Sequence, residues 1–177
     1  PVIAYGVGGT LDLLEDWFRT VAVTTAPTLT SADNVSIVGM YAKWLGTGPT
    51  ANVLSVATLA ILWGAFFWLL SRQRDEASST CLEMAILLIL MPLSSPQGWD
   101  YVLLISTPAV MCLINYYGRF PTVLKGLVAV SLFLVGFSLF DLMGRRLYSL
   151  FMSLSLITVC YLPLLTALAY LRLKKVA

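Results

Sequence analysis

The chain has 177 residues, of which 59% are hydrophobic and 11% charged, with a net charge of +2 and a mean hydropathy of +0.86. A soluble domain carries about a quarter charged residues, so this chain cannot clothe a water-facing surface, and lipid is its expected solvent. The small net charge offers no basic face for nucleic acid, and the absence of histidine removes the commonest general base and metal ligand.

The chain begins at Pro1, and nothing near its start resembles a signal peptide. The expectation is of a fragment preceded by a further segment. Residues 1–50 read as an extracytoplasmic or interfacial region with two short amphipathic helices. In "TLDLLEDWFRT", Leu11, Leu14, Trp17 and Phe18 share one side of a helix, and Asp12, Glu15, Asp16 and Arg19 the other. Thr10 can cap its start. Such a helix lies on a membrane surface. The stretch "VAVTTAPTLTSAD" reads as an exposed loop. In "DNVSIVGMYAKWLGTGP", Asp33 or Asn34 can cap a helix over residues 35–45, and Gly46 can end it. Ser36, Gly39 and Lys43 form a narrow polar strip on that helix, where Gly39 lets something approach the backbone. The strip reads either as a binding surface or as an interfacial anchor with a snorkelling lysine. "NVS" also matches a glycosylation sequon.

Residues 51–177 read as a transmembrane helical region with spans over about 51–71, 81–93, 99–117, 121–143 and 147–171. The first gives about 31 Å of helix, enough to cross a bilayer. The second is short and either spans or re-enters. Pro163 is expected to kink the last. If the first span runs outside to inside, seven Lys and Arg residues lie inside (Arg72, Arg74, Arg119, Lys125, Arg172, Lys174, Lys175) and four outside (Arg19, Lys43, Arg145, Arg146). This is the orientation the positive-inside rule favours. It places residues 1–50 and the turn "SSPQGWD" on the same outer side. The fold class expected is all-α, a polytopic transmembrane bundle with amphipathic helices at its N-terminal end.

Pro96 and Gly98 break the helix between two charge-free runs. The freed backbone groups need partners, so the break should line a wet or protein-filled cavity. Ser95 and Gln97 are its polar side chains. Asp100 is the only carboxylate between Glu83 and Asp141, and a charge near membrane depth is a functional candidate. Trp99 and Tyr101 beside it suit the apolar face of a sugar ring, or equally an interfacial aromatic belt. Arg145 and Arg146 can clamp a phosphate, bind lipid headgroups or pair with Asp141. Cys81, Cys112 and Cys160 show no CxxC spacing and read as buried free thiols. No cluster of metal ligands is visible, and no cofactor is expected.

Two of these stretches carry a resemblance. "DNVSIVGMYAKWLG" resembles the Asn-x-Ser-(Ile/Leu)-x-Gly segment of the bacterial membrane glycosyltransferases of family 87, formerly DUF2029. "LMPLSSPQGWDYVLLISTPAVMCLIN" is similar to their Ser-Pro-x-x-Trp-(Asp/Glu) segment, followed by a helix with an internal proline. Order and separation agree, and the resemblance covers most of residues 10–117. One departure is clear: many members carry one or two histidines after Trp-(Asp/Glu), where this chain has Tyr101 and Val102.

The resemblance implies a GT-C enzyme of the inner (plasma) membrane. Such an enzyme moves a mannose-like hexose or a pentose from a polyprenyl-phosphate donor to a glycolipid or glycan acceptor on the extracytoplasmic face, inverting the anomeric carbon. Membrane lipids and these two substrates are the implied partners. The catalytic base is implied in an outer loop absent from these residues, so the chain is expected to be inactive alone, with Asp100 an outside candidate. The expected roles follow. Lys43 meets the leaving phosphate, with Arg145 and Arg146 as alternatives. Asn34 and Ser36 bond sugar or phosphate oxygens. Asp100 holds hydroxyls or orients Lys43, flanked by Ser95, Gln97, Trp99 and Tyr101. The rival readings are a transporter or flippase fragment with broken helices, and a structural membrane subunit with no site.

Overall fold

A computed structural model describes residues 2–72 and 77–174. Among them the chain is all-helical. In order, the helices are α1 (Val2–Thr28), α2 (Ile37–Leu45), α3 (Pro49–Ser71), α4 (Ala77–Ser94), α5 (Thr107–Asn115), α6 (Thr122–Gly136), α7 (Phe140–Ser153) and α8 (Leu156–Leu173). A 3-10 segment, Asp100–Ser106, leads into α5, and a shorter one, Tyr117–Arg119, follows it.

The core runs along α8. Its buried residues include Ile157, Tyr161, Leu164, Leu168 and Leu171, and α3, α4, α5, α6 and α7 all pack against it. α3 is the opposite case. It is apolar on every side, yet it buries only Ala51, Ser55, Phe66 and Leu69 and leaves Val53, Val56, Ile61 and Phe67 bare. A helix at a water surface shows a polar side, whereas one apolar all round belongs in a core or in lipid. Among the described residues two helices, Pro49–Ser71 and Leu156–Leu173, are long and apolar enough to cross a membrane; a third crossing arises if Thr122–Gly136 and Phe140–Ser153 form one bent span.

Polar groups gather at the two ends of this apolar body. At one end Arg172 is 3% exposed. It donates through Nε and Nη2 to Glu83 Oε1, at 2.7 and 2.6 Å, and through Nη2 to the Arg72 carbonyl at 2.9 Å. The end of α3, the start of α4 and the end of α8 are thereby joined. Removing one partner of a buried ion pair strands the other charge, whereas the intact pair adds little by itself. At the other end the 34–36 segment, the 95–100 turn and the 152–158 joint meet.

Several boundaries differ from the sequence expectation. The first part of the threonine-rich stretch expected as a loop, residues 21–28, continues α1, because Thr20, Thr24 and Thr28 return their hydroxyls to carbonyls one turn earlier, Asp16, Thr20 and Thr24, and so stay satisfied inside a helix; residues 29–33 are turn, as expected. Thr10 bonds Gly6 O in the same way and caps nothing; the break in α1 is at Gly6, with φ 69°. The span expected over 121–143 ends at Gly136, and α7 turns away by 106°. The last span begins only after Leu154 and Ser155, so its upper part belongs to α7. Helix interruption falls at this joint, with Pro163 accommodated inside α8. Arg74 and Lys175, counted among the inner charges, lie outside the described residues.

Ser155 holds φ 54°, ψ 35°, a left-handed conformation that costs a non-glycine residue about 1–2 kcal/mol. Its buried hydroxyl has no hydrogen-bond partner. Ser155→Gly removes both penalties. We expect the variant to be more stable by about 1 kcal/mol, read as a higher melting temperature in detergent.

Candidate functional site at the turn end of the bundle

The site grows from Asn34. Its side chain is 4% exposed and uses all its hydrogen-bonding capacity. Nδ2 donates to the carbonyls of Thr28 and Pro96, at 3.2 and 3.0 Å. Oδ1 accepts from Ser36 N and Ser36 Oγ, at 3.0 and 2.7 Å. Ser36 Oγ in turn accepts from Gly39 N at 3.0 Å, so Ser36, and neither Asp33 nor Asn34, is the N-cap of α2. Gly46, φ 79°, ends that helix, as the sequence suggests. The group that approaches Gly39 is Asn34 itself: a Cβ there would lie 2.6 Å from Asn34 Cγ and Oδ1.

The same knot joins the two motif segments. Val35 N donates to Gly98 O at 2.6 Å, and Asn34 and Trp99 pair as an isolated antiparallel bridge. A Cβ on Gly98 would come within 3.0 Å of Pro92 O and Ser36 Cβ, so only glycine lets the turn lie this close. Thr158 Oγ1, buried on α8, donates to Val35 O at 2.8 Å. Gln97 Nε2 reaches Thr25 Oγ1 at 2.9 Å and tethers the end of α1. Ser95 is half-buried where α4 ends.

Lys43 is clamped. Its Nζ donates to the carbonyls of Ala32, Asn34 and Met152, at 2.8, 2.7 and 3.0 Å, which occupies all three of its protons. Burial pushes its pKa down to about 8, with nearby Asp33 opposing the shift. The roles expected for three residues change accordingly. Asn34, Ser36 and Lys43 were expected to bond sugar or phosphate oxygens, but their donors and acceptors are taken up within the fold. The buried Asn34 amide is likewise inaccessible to the sequon's modification.

The accessible groups lie beside the knot. Asp100 is half-buried. Its Oδ1 accepts from Tyr101 N at 2.8 Å, and its Oδ2 has only a long 3.4 Å contact from Tyr148 OH. Trp99 and Tyr101 stack on each other with centroids 6.3 Å apart and are 40% and 64% exposed. Asp100 and Tyr101 open onto a cleft of about 420 Å³ whose far wall includes Ser106, Ser138 and Tyr161. Ser106 and Ser138 donate to carbonyls of their own segments, Leu103 and Val135, and Ser106 also meets Tyr161 OH at 2.9 Å. Ser106 and Tyr161 are buried against each other and Leu103, Leu104, Val135 and Ile157 make most of the lining apolar, so the Asp100 carboxylate and half-buried Ser138 are the acceptors a ligand with O–H or N–H groups would meet.

Arg145 and Arg146 are exposed on α7 and carry no hydrogen bond or ion pair among the described residues. Asp141 lies across the break at Gly144, φ 72°, and pairs with neither. Arg145 precedes Tyr148 by three residues, on the same side of the helix. Tyr148, Ser106, Tyr161 and Thr158 were not foreseen. A hydroxyl inside an apolar run was the only sequence signal for them, and it does not say which element the hydroxyl faces. Against protein-family models, curated proteins and solved structures alike, the chain finds no match.

Two outcomes test the knot. Asn34→Ala orphans the Thr28 and Pro96 carbonyls and uncaps Ser36, at a cost of about 3 kcal/mol, and Gly39→Ala should fail in the same direction by displacing the Asn34 side chain. Thermal melting in detergent measures both. Lys43→Met leaves three carbonyls unmet, at a cost of about 2 kcal/mol. Because the folded value near 8 lies below 10.5, the unfolded chain binds the extra proton between them, so the contribution of Lys43 to stability grows as pH rises through that window. The melting-temperature gap between wild type and Lys43→Met should therefore be wider at pH 10 than at pH 7.

Proposed function

We propose that this protein is part of a multi-pass membrane glycosyltransferase, of the GT-C type that family 87 exemplifies. It would pass a sugar from a polyprenyl-phosphate carrier to a lipid or glycan acceptor at the extracytoplasmic face. The observation that carries the reading is the Val35–Gly98 hydrogen bond with the Asn34–Pro96 contact beside it. The two segments that resemble the family's motifs, more than sixty residues apart, form one structure at one end of an apolar helix bundle, next to a largely apolar cleft onto which Asp100 opens.

The division of roles follows from what is occupied. Asn34, Ser36 and Lys43 hold the frame. Asp100 and Ser138 accept hydrogen bonds from sugar hydroxyls, and the Trp99–Tyr101 pair offers an apolar face for the ring. A leaving phosphate needs positive charge or donors. The cleft wall offers few donors and Lys43 is engaged, so Arg145 and Arg146 take that role from α7. The exposed apolar face of α1, with Leu11, Leu14, Trp17 and Phe18 all bare, fits a helix seated in the membrane interface.

The test uses membranes from cells expressing the full gene, supplied with labelled polyprenyl-phosphate mannose or pentose. Wild type should transfer label to lipid. Asp100→Asn and the double variant Arg145→Gln/Arg146→Gln should each lower transfer by about tenfold or more, as for loss of a charged contact in a transition state, with melting temperatures unchanged. Wild-type membranes that hold folded protein yet transfer no polyprenyl-linked sugar would reject the enzyme reading and favour a transporter.

A further inference from the structure

Cys81 and Cys112 are 31 positions apart, and their Sγ atoms stand 3.6 Å from each other. Cys81 is exposed, Cys112 is half-buried and Cys160 is buried in α8. The pair has a definite place in the fold. α4 and α5 are the legs of a hairpin whose tip is the 95–100 turn, and the two thiols face each other across its open end, away from the tip. The sequence shows no CxxC motif, so only the packing of α4 on α5 brings them together.

Two sulfurs at 3.6 Å are in van der Waals contact, and a disulfide brings them to about 2.05 Å. We propose that Cys81 and Cys112 form a dithiol–disulfide site that exchanges with a disulfide-bearing oxidant and staples α4 to α5. Exposed Cys81 is the entry point. Its thiolate attacks one sulfur of the oxidant RSSR; that S–S bond breaks, a Cys81–SR mixed disulfide forms, and RS⁻ leaves and takes up the proton Cys81 lost. Cys112 then attacks Cys81 Sγ, the mixed disulfide breaks, and the second RS⁻ leaves with the Cys112 proton. Two protein thiols are oxidised to one disulfide, and RSSR is reduced to two RSH. The bond closes the open end of the hairpin and fixes the splay of its legs, and with it the pose of the turn that bears Trp99 and Asp100. The site stands independently of what that turn binds.

Membranes containing the protein are treated with 4,4′-dithiodipyridine, and the intact chain is weighed before and after reduction. The Cys160→Ser variant removes the third thiol from the count. The expected product is a monomer lighter by two hydrogens, with no pyridylthio adduct, in which Cys81 and Cys112 resist maleimide until reduced. Cys81→Ser and Cys112→Ser should each lose this product and keep a single adducted or free thiol. The proposal is overturned by a stable pyridylthio adduct on Cys81 with Cys112 still free, by a disulfide-linked dimer, or by two thiols that remain reactive to maleimide throughout.

Discussion

The Asn34 side chain is the node on which the turn end of the molecule depends. One amide satisfies the carbonyls that end α1 and the 95–98 turn, and accepts both the backbone and the hydroxyl of Ser36. Irregular backbone without water must find its partners inside the protein, since each buried group left unpaired costs on the order of 1–3 kcal/mol. A chain break in apolar surroundings is tolerated only where such partners converge. Asn34 carries two donors and two acceptor sites on a short, planar group, so it can serve three segments at once. The glycines follow from it: Gly39 makes room for the amide, and Gly98 lets the turn lie against Ser36.

The same constraint organises the far end, where charge replaces amide. The Arg172 guanidinium bridges Glu83 and the Arg72 carbonyl and ties three helices that otherwise pack largely through apolar side chains, with a Trp63–Ser94 hydrogen bond between α3 and α4. Dispersion and burial along α8 hold the helices together without specifying their register. The polar ties at the two ends specify it. α7 lies outside this scheme. It is bent away from α6, seats only its end in the core through Phe151 and Met152, meets Asp100 through Tyr148 and Lys43 through the Met152 carbonyl, and presents its arginines outward.

This division bears on the proposed chemistry. A residue whose hydrogen bonds are complete cannot also bind a substrate without dismantling the fold, and Asn34, Ser36 and Lys43 are in that state. Motif residues of this kind preserve the geometry of a site, whereas Asp100, Trp99, Tyr101 and the α7 arginines are the groups a ligand can reach. The reading as a glycosyltransferase therefore rests on fewer side chains than the motifs contain.

The sequence by itself determined the apolar character of helices long enough to cross a membrane, the all-helical character, the α2 helix with its Gly46 stop and the break at Pro96–Gly98. These properties follow from composition and from local geometry within a few residues, where proline, glycine and charge act on their immediate neighbours. It misjudged the threonine-rich end of α1, where hydroxyls turned back on their own helix, and the α6–α7 bend, where apolar runs continue smoothly through a change of direction. It was silent on the contacts of Arg172 with Glu83, Lys43 with Met152, Thr158 with Val35 and Cys81 with Cys112. Only the tertiary structure decided which polar groups are occupied and which remain open, because hydrogen bonds between residues far apart in the chain depend on how helices pack, and local periodicity carries no record of that.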